Sequence, residues 1–357
     1  MTLIASYVVN GIPILLGDLL ISRDSSGADT PISTPSVHDV NSQIEHPNSL
    51  QIIGMCQKVN LVSDRICVLW SGRKIEAQGF IRYLHKHCGS GNLTPEQFDQ
   101  FIDRYPSNDL RNVNLIIYFA DGKSFRMHQF NTPHFYWDEC KLSYMQVAGS
   151  GQSRFIQVIE TLFAGGQIDG EYNLLDEAVG LTLRFMSLAF GNQVLTGFGV
   201  NEGWGGGFEI AYPRLGRFEK LSDIMYLFWI AKEKQDGSFE IEHLPRFIKS
   251  EYQGLRLKVF VCDWSDNSPG NRLYVVDPLF DVDKTEEVEI PRLGYTWLVN
   301  YCQVVTKDGS VTFFDRIDRF GSNCGNERPI SIEINKGNYS IKFDAKWLQT
   351  MARQIIK

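Results

Sequence analysis

The amino-acid sequence predicts an α+β fold, with helices packed against stacked antiparallel sheets and a smaller β-rich domain at the C-terminus. Strand-type and helix-type segments come in separate blocks, not in strict β-α-β alternation, which argues against a doubly wound parallel sheet. Two turn pairs, Asn10-Gly11 and Asp121-Gly122, each sit between apolar runs and mark tight antiparallel hairpins. Beyond about Leu255 the chain changes to short apolar runs spaced by Gly, Asp, Asn and Pro. The expected division is residues 1–245 for the first domain and 250–357 for the second.

Taken in order, residues 3–9 and 12–16 form the first hairpin, which closes on Gly17-Asp18. Residues 22–50 are rich in Ser, Asp, Pro, Asn and Gly and read as a long, mobile loop. Order resumes over residues 51–62, and Ser63-Asp64 turns the chain into a buried-type strand at 65–70, ended by Ser71-Gly72. Lys74 to Cys88 has helical periodicity that directs Ile75, Phe80, Ile81 and Leu84 inward. Thr94-Pro95-Glu96-Gln97 starts a second helix, with Thr as N-cap, Pro at the first helical position and Gln three residues after the cap. Residues 114–119 and 124–130 make another hairpin, 143–148 a strand, and Gly149-Ser150-Gly151 leads into a helix at about 152–163. A longer apolar helix spans 173–190, with Asn173 or Asp176 as its cap. Gly205-Gly206-Gly207 precedes a strand at 208–212, and another strand covers 224–231. The C-terminal block holds six short strands between residues 255 and 343 and a terminal helix at 345–356.

Composition limits the function classes. A net charge of −7 argues against a general nucleic-acid binder, which needs surplus Lys and Arg to neutralise phosphates. Seven cysteines without a C-x-x-C pair read as reduced thiols of a cytoplasmic protein. No apolar run reaches the ~20 residues of a membrane span. The apolar N-terminus lacks the basic segment and cleavage site of a signal peptide. His85-Lys86-His87-Cys88 carries metal-ligand residue types, but neighbours two apart do not share a helix face, and a solvated helix end is the better reading. Asp277, Asp281 and Asp283 lack the glycine and final glutamate of a calcium loop.

The second residue carries the strongest chemical signal. An initiator Met before a small residue is normally removed, which leaves Thr2 with a free α-amine. Its hydroxyl and that amine, of pKa about 8, make a nucleophile and a base in one residue. If Met1 is retained, the amine is an amide and this chemistry is absent.

Over roughly residues 2–245 the motifs and their order resemble the N-terminal-nucleophile hydrolases, above all proteasome β-type subunits and their bacterial relatives. The carrying features are Thr2 before a hairpin ending at Gly17-Asp18, Lys58-Val59 before Ser71-Gly72 and a helix, Gly149-Ser150-Gly151 before a helix, and the segment 201–207 before a strand. The resemblance implies a four-layer αββα sandwich, followed here by the β-rich domain. It also implies Thr2 as nucleophile, Lys58 to tune the amine, Asp18 to orient Lys58, and the Gly72 N–H as oxyanion donor. Ser150 and Glu202 fall at positions beside the amine. Trp70, with Cys56 and Lys74, falls at substrate-pocket positions, where the indole would shorten the pocket. The chain departs from the pattern at Glu202, where aspartate is usual, and at Gly205, where a serine is usual.

What the resemblance implies is a threonine peptidase or amidase acting on peptides or proteins, without metal or organic cofactor. It further implies a homo-oligomer, in the form of a ring. The alternative is a proteasome-like scaffold, sensor or ring subunit without catalysis, favoured by Gly205, Trp70 and the 22–50 segment. The retained Thr2, Asp18, Lys58 and Gly72 favour the enzyme.

Overall fold

Asn10 and Gly11 both adopt positive φ, 51° and 80°, as the tight turn between twisted strands requires. That turn joins β1 (Leu3–Val9) to β2 (Ile12–Asp18), and the pair forms the middle of the first sheet. A computed structural model describes residues 2–23, 32–37, 51–89, 93–122, 124–136, 142–164, 173–196, 200–241, 246–262, 271–280, 294–320, 330–335, 338–343 and 346. The first sheet has the order β12-β11-β2-β1-β10-β9, with β9 at His134–Tyr136, β10 at Leu142–Gly149, β11 at Phe208–Arg214 and β12 at Arg217–Lys220.

The second sheet, β5-β6-β7-β8, is built from Val59–Ser63, Ile66–Gly72, Val113–Asp121 and Ser124–Phe130. Its strands alternate inward and outward. Val59, Cys67, Leu69 and Ile116 meet Ile4, Leu15 and Ala148 of the first sheet in a shared core. The opposite face, including Val68 and Trp70, packs on α1 (Lys74–Cys88), whose Phe80, Ile81 and Leu84 are buried. Ile75, expected inward, is 71% exposed in the first turn of that helix. In α2 (Pro95–Arg104), Thr94 and Gln97 form the reciprocal capping box that the sequence signals.

The third sheet has seven strands: β13 (Ile224–Glu233), β14 (Phe239–Ile241), β15 (Arg246–Gln253), β16 (Arg256–Cys262), β17 (Arg272–Val276), β18 (Trp297–Val305) and β19 (Val311–Arg319). β13 runs parallel to β18 and antiparallel to β15. This sheet therefore draws strands from both sides of residue 245. Two short pairs complete the strands, β3 (Leu20–Arg23) with β4 (Gln51–Met55), and β20 (Ile330–Asn335) with β21 (Asn338–Phe343).

The expected four-layer αββα sandwich is not what this chain builds. Among the described residues the protein is mostly β, with twenty-one strands in five sheets against four α-helices. One physical reason lies in α4 (Leu174–Thr196), which follows α3 (Gln152–Ala164). An outermost helix needs a polar face, whereas a helix buried all round is apolar all round. Leu181, Leu183, Phe185, Met186, Ala189 and Phe190 are all buried, and α4 packs on β2 as well as on β13, β18 and β19. Arg184, a rare charge in its middle, is bound by Asp315 of β19 at 3.1 Å. The seven-stranded sheet is thus a further layer over the helix and larger than the small appended module expected.

Part of the 22–50 segment, residues 32–37, is packed, with Thr34 and Ser36 buried. Residues 24–31 and 38–50 lie outside the described residues, as does the expected terminal helix except for residue 346. Among the described residues no helix is long and apolar enough to cross a membrane.

Candidate active site

Three sequence-predicted residues come together at the open end of the β1–β2 hairpin. Thr2 directly precedes β1, Asp18 ends β2, and Ile4 pairs with Gly17. Lys58 directly precedes β5, and its Cβ lies only 2.7 Å from the place a Cβ on Gly17 would occupy. That close approach lets the Lys58 segment cross β2. Thr2 is 2% exposed, and Asp18 and Lys58 are each 0% exposed.

The polar atoms of this group are left open by the rest of the protein. Thr2 Oγ1, Asp18 Oδ1 and Lys58 Nζ are all buried and accept or donate no hydrogen bond. Burial of an unpaired hydroxyl, carboxylate oxygen and ammonium is costly, and such groups in native proteins call for an explanation. Asp18 Oδ2 is held by the Gly205 N–H at 2.8 Å. The expected direct pairing of Asp18 with Lys58 is not formed, since no ion pair within 4.0 Å and no hydrogen bond joins them, although each shifts the other at longer range. Burial pushes the Asp18 carboxyl from 3.8 up to about 7, with Lys58 pulling it down. Burial likewise lowers the Lys58 ammonium from its ordinary 10.5, with Asp18 opposing. Burial thus moves both groups toward their neutral forms, and each opposes the shift of the other.

The Lys58 ammonium sits 4.0 Å from the centroid of the Trp70 ring. The indole is 1% exposed, donates to the Gln57 carbonyl at 3.0 Å, and closes the site on the helix side. Cys56, beside it, is 4% exposed, and burial raises its thiol. Lys74 is exposed at the start of α1, within electrostatic range of Lys58 and Cys56. Gly72 is exposed at the end of β6.

The Gly149-Ser150-Gly151 turn wraps the first residue of the site, and the Gly151 N–H approaches the Thr2 carbonyl at 3.4 Å. Ser150 itself is exposed. Glu202 is bound elsewhere: Oε1 accepts from Arg154 Nε at 3.1 Å and Oε2 from Trp204 Nε1 at 2.9 Å. Trp204 in turn packs against Gly151. A serine at position 205 would force the Gln193 amide to move, and Gly205 has φ 106°, a conformation that favours glycine.

Several supporting residues were not singled out from the sequence. Gln193 sits in an apolar helix and Glu209 in the apolar run Phe208–Ala211. A polar side chain inside such a run is the signal that could have found both.

The other candidates do not converge. His85 stacks on Phe280, His87 on Phe101, and Cys88 is buried. Among the described residues no group of three His, Cys, Asp or Glu is arranged to hold a metal. A cavity of about 310 Å³ lies at the N-terminal end of α4, lined by residues that include Tyr212, Asp223, Trp297 and Arg319, away from Thr2.

No protein-family model matches this chain, and no curated protein matches it.

Proposed function

We propose that the protein is a threonine amidohydrolase of the N-terminal-nucleophile type, acting on peptide bonds. The observation that carries this reading is the buried group of Thr2 Oγ1, Asp18 Oδ1 and Lys58 Nζ, none of which has a hydrogen-bond partner. After removal of Met1, Thr2 Oγ attacks the substrate carbonyl while the Thr2 amine takes the hydroxyl proton. Lys58, its charge favoured by Asp18, places positive charge beside that amine and favours its neutral, basic form. The Gly72 N–H is the oxyanion donor of this reading. The amine then gives its proton to the leaving nitrogen, and the C–N bond breaks. Water, deprotonated by the same amine, hydrolyses the ester and frees Thr2.

The reading includes assembly of several copies and a cytoplasmic location. The five described free cysteines are all buried thiols, which supports a reducing compartment.

A second reading, a non-catalytic scaffold, is favoured by one observation. Glu202 is engaged by Arg154 and Trp204, and position 205 lacks the hydroxyl that would sit near the amine.

Intact mass and chemical labelling separate the two. Under the enzyme reading the mature chain lacks Met1, and a peptide β-lactone acylates wild type but not Thr2→Ala. Retained Met1, or an adduct that survives Thr2→Ala, would leave the scaffold reading standing.

A further inference from the structure

Lys58 is a buried ammonium that its own hydrogen bonds do not hold in place, yet both of its chain neighbours are fastened. Glu209, on β11 opposite Gly17, has a fully buried side chain. Its Oε1 accepts the Val59 N–H at 2.5 Å. Its Oε2 accepts from Lys220 Nζ at 2.5 Å and from the Tyr252 hydroxyl at 3.0 Å. Lys220 Nζ also donates to the Val59 carbonyl and, at 3.4 Å, to Gln57 Oε1. Gln57 Nε2 reaches the carbonyls of Leu255 at 2.7 Å and Val276 at 2.8 Å, and the Gln57 N–H reaches the Asp277 carbonyl at 3.2 Å.

The residues on either side of Lys58 are thus clamped by the first sheet through Glu209 and Lys220, and by the seven-stranded sheet through Tyr252, Leu255, Val276 and Asp277. Such an arrangement has a stability cost, because a buried Glu–Lys pair gains little over an apolar pair of the same shape. Fixing a reactive side chain by locking its neighbours is a reason to keep it.

We propose that Glu209 is the positioning residue for Lys58, setting both its place and its charge through the Val59 amide and the Lys220 pair. The proposal rests on Lys58 having the role given above. It assigns the C-terminal sheet a task in the site, as one wall of the clamp. The groups acting on the Lys58 ammonium are Asp18, Cys56, Glu209 and Lys74; Asp18, Cys56 and Glu209 favour its charge and Lys74 opposes it.

The test follows the Lys58 titration by NMR in full-length protein carrying 13C at lysine Cε, with the signal assigned by Lys58→Arg. Glu209→Gln keeps the shape and the acceptor for Val59 but removes the charge. It is expected to lower the Lys58 midpoint by about one pH unit, with the pH profile of Thr2 acylation moving alongside. Lys220→Met leaves the Glu209 charge without its partner and is expected to move the midpoint upward. Opposite shifts from the two variants are not a result that general loosening would give. An unmoved midpoint in folded Glu209→Gln overturns the proposal; should that variant not fold, an unmoved midpoint in Lys220→Met does so. Wild type that titrates as described but is not acylated at Thr2 would sink the amidohydrolase reading and leave the Glu209 result intact.

Discussion

The Asp18 carboxylate accepts a 2.8 Å hydrogen bond from the Gly205 amide, 187 residues further along the chain, while its other oxygen has no partner. One oxygen is tied to the fold and the other is buried without a partner. Burial of the carboxyl, against the pull of the Gly205 hydrogen bond, makes stability depend on pH in a definite direction. The unfolded chain releases the Asp18 proton near 3.8, whereas the native protein holds it to about 7. Between those values the unfolded state binds fewer protons than the native state, so stability falls as pH rises.

The matching experiment is urea unfolding of wild type and Asp18→Asn at several pH values across that window. The stability difference between them should change in favour of the Asn variant from the acid end to the neutral end. At about 1.4 kcal/mol per pH unit the change reaches up to about 4 kcal/mol. Lys58 acts in the opposite sense above its lowered native value, where stability rises with pH toward 10.5. Parallel curves for wild type and Asp18→Asn would contradict the buried, raised carboxyl.

Gly205→Ser introduces the side chain usual in the resembled proteins and should damage this one. The new Cβ meets the amide of Gln193, a residue that is 0% exposed and accepts the Gly206 N–H at 3.1 Å. The φ of 106° adds backbone strain for any residue but glycine. A loss of about 2–4 kcal/mol in unfolding free energy is expected. Adding Gln193→Ala should return only part of it, since the backbone strain persists. A Gly205→Ser protein as stable as wild type in thermal melting would show that the Gln193 contact yields freely.

What was legible in the sequence was local. Asn10-Gly11 specifies a turn within two residues, and Thr94 to Gln97 specify a cap within four, so no distant partner is needed. Thr2, Asp18 and Lys58 were legible as separate residues with suggestive neighbours. Their meeting depends on β2 and the Lys58 segment crossing at Gly17. The all-round burial of α4 was the main obstacle. Its apolar composition was plain, but composition alone does not say that a seven-stranded sheet covers its outer side. Glu209 and Val59 are 150 positions apart, and a hydrogen bond over that span leaves no local pattern.

Glu202 tests how far the resemblance extends into the site. Its carboxylate is shared by Arg154 and Trp204, and its side chain is 35% exposed. Glu202→Gln should therefore cost less than about 1 kcal/mol, the usual scale for a part-exposed pair. The rate of Thr2 acylation should change by less than about twofold, because the Thr2 amine is not among its partners. A fall of about tenfold, read by mass spectrometry of the acyl adduct, would place Glu202 back beside the amine.

The strongest prediction joins stability to function at the same pair of residues. Asp18 and Lys58 are buried without a direct ion pair, so each carries a desolvation cost that the other offsets only in part. Asn at position 18 keeps an acceptor for the Gly205 amide. Met at position 58 fills the same volume over the Trp70 ring without a charge. The double variant Asp18→Asn/Lys58→Met should be more stable than wild type by about 1–4 kcal/mol in denaturant unfolding, as replaced buried ion pairs often are. It should also lose Thr2 acylation, because nothing remains to hold the amine in its basic form. A site retained for chemistry predicts this opposition of gain and loss. A scaffold predicts neither outcome, so a double variant that is less stable than wild type and never differs from it in labelling would argue that the pair serves the fold alone.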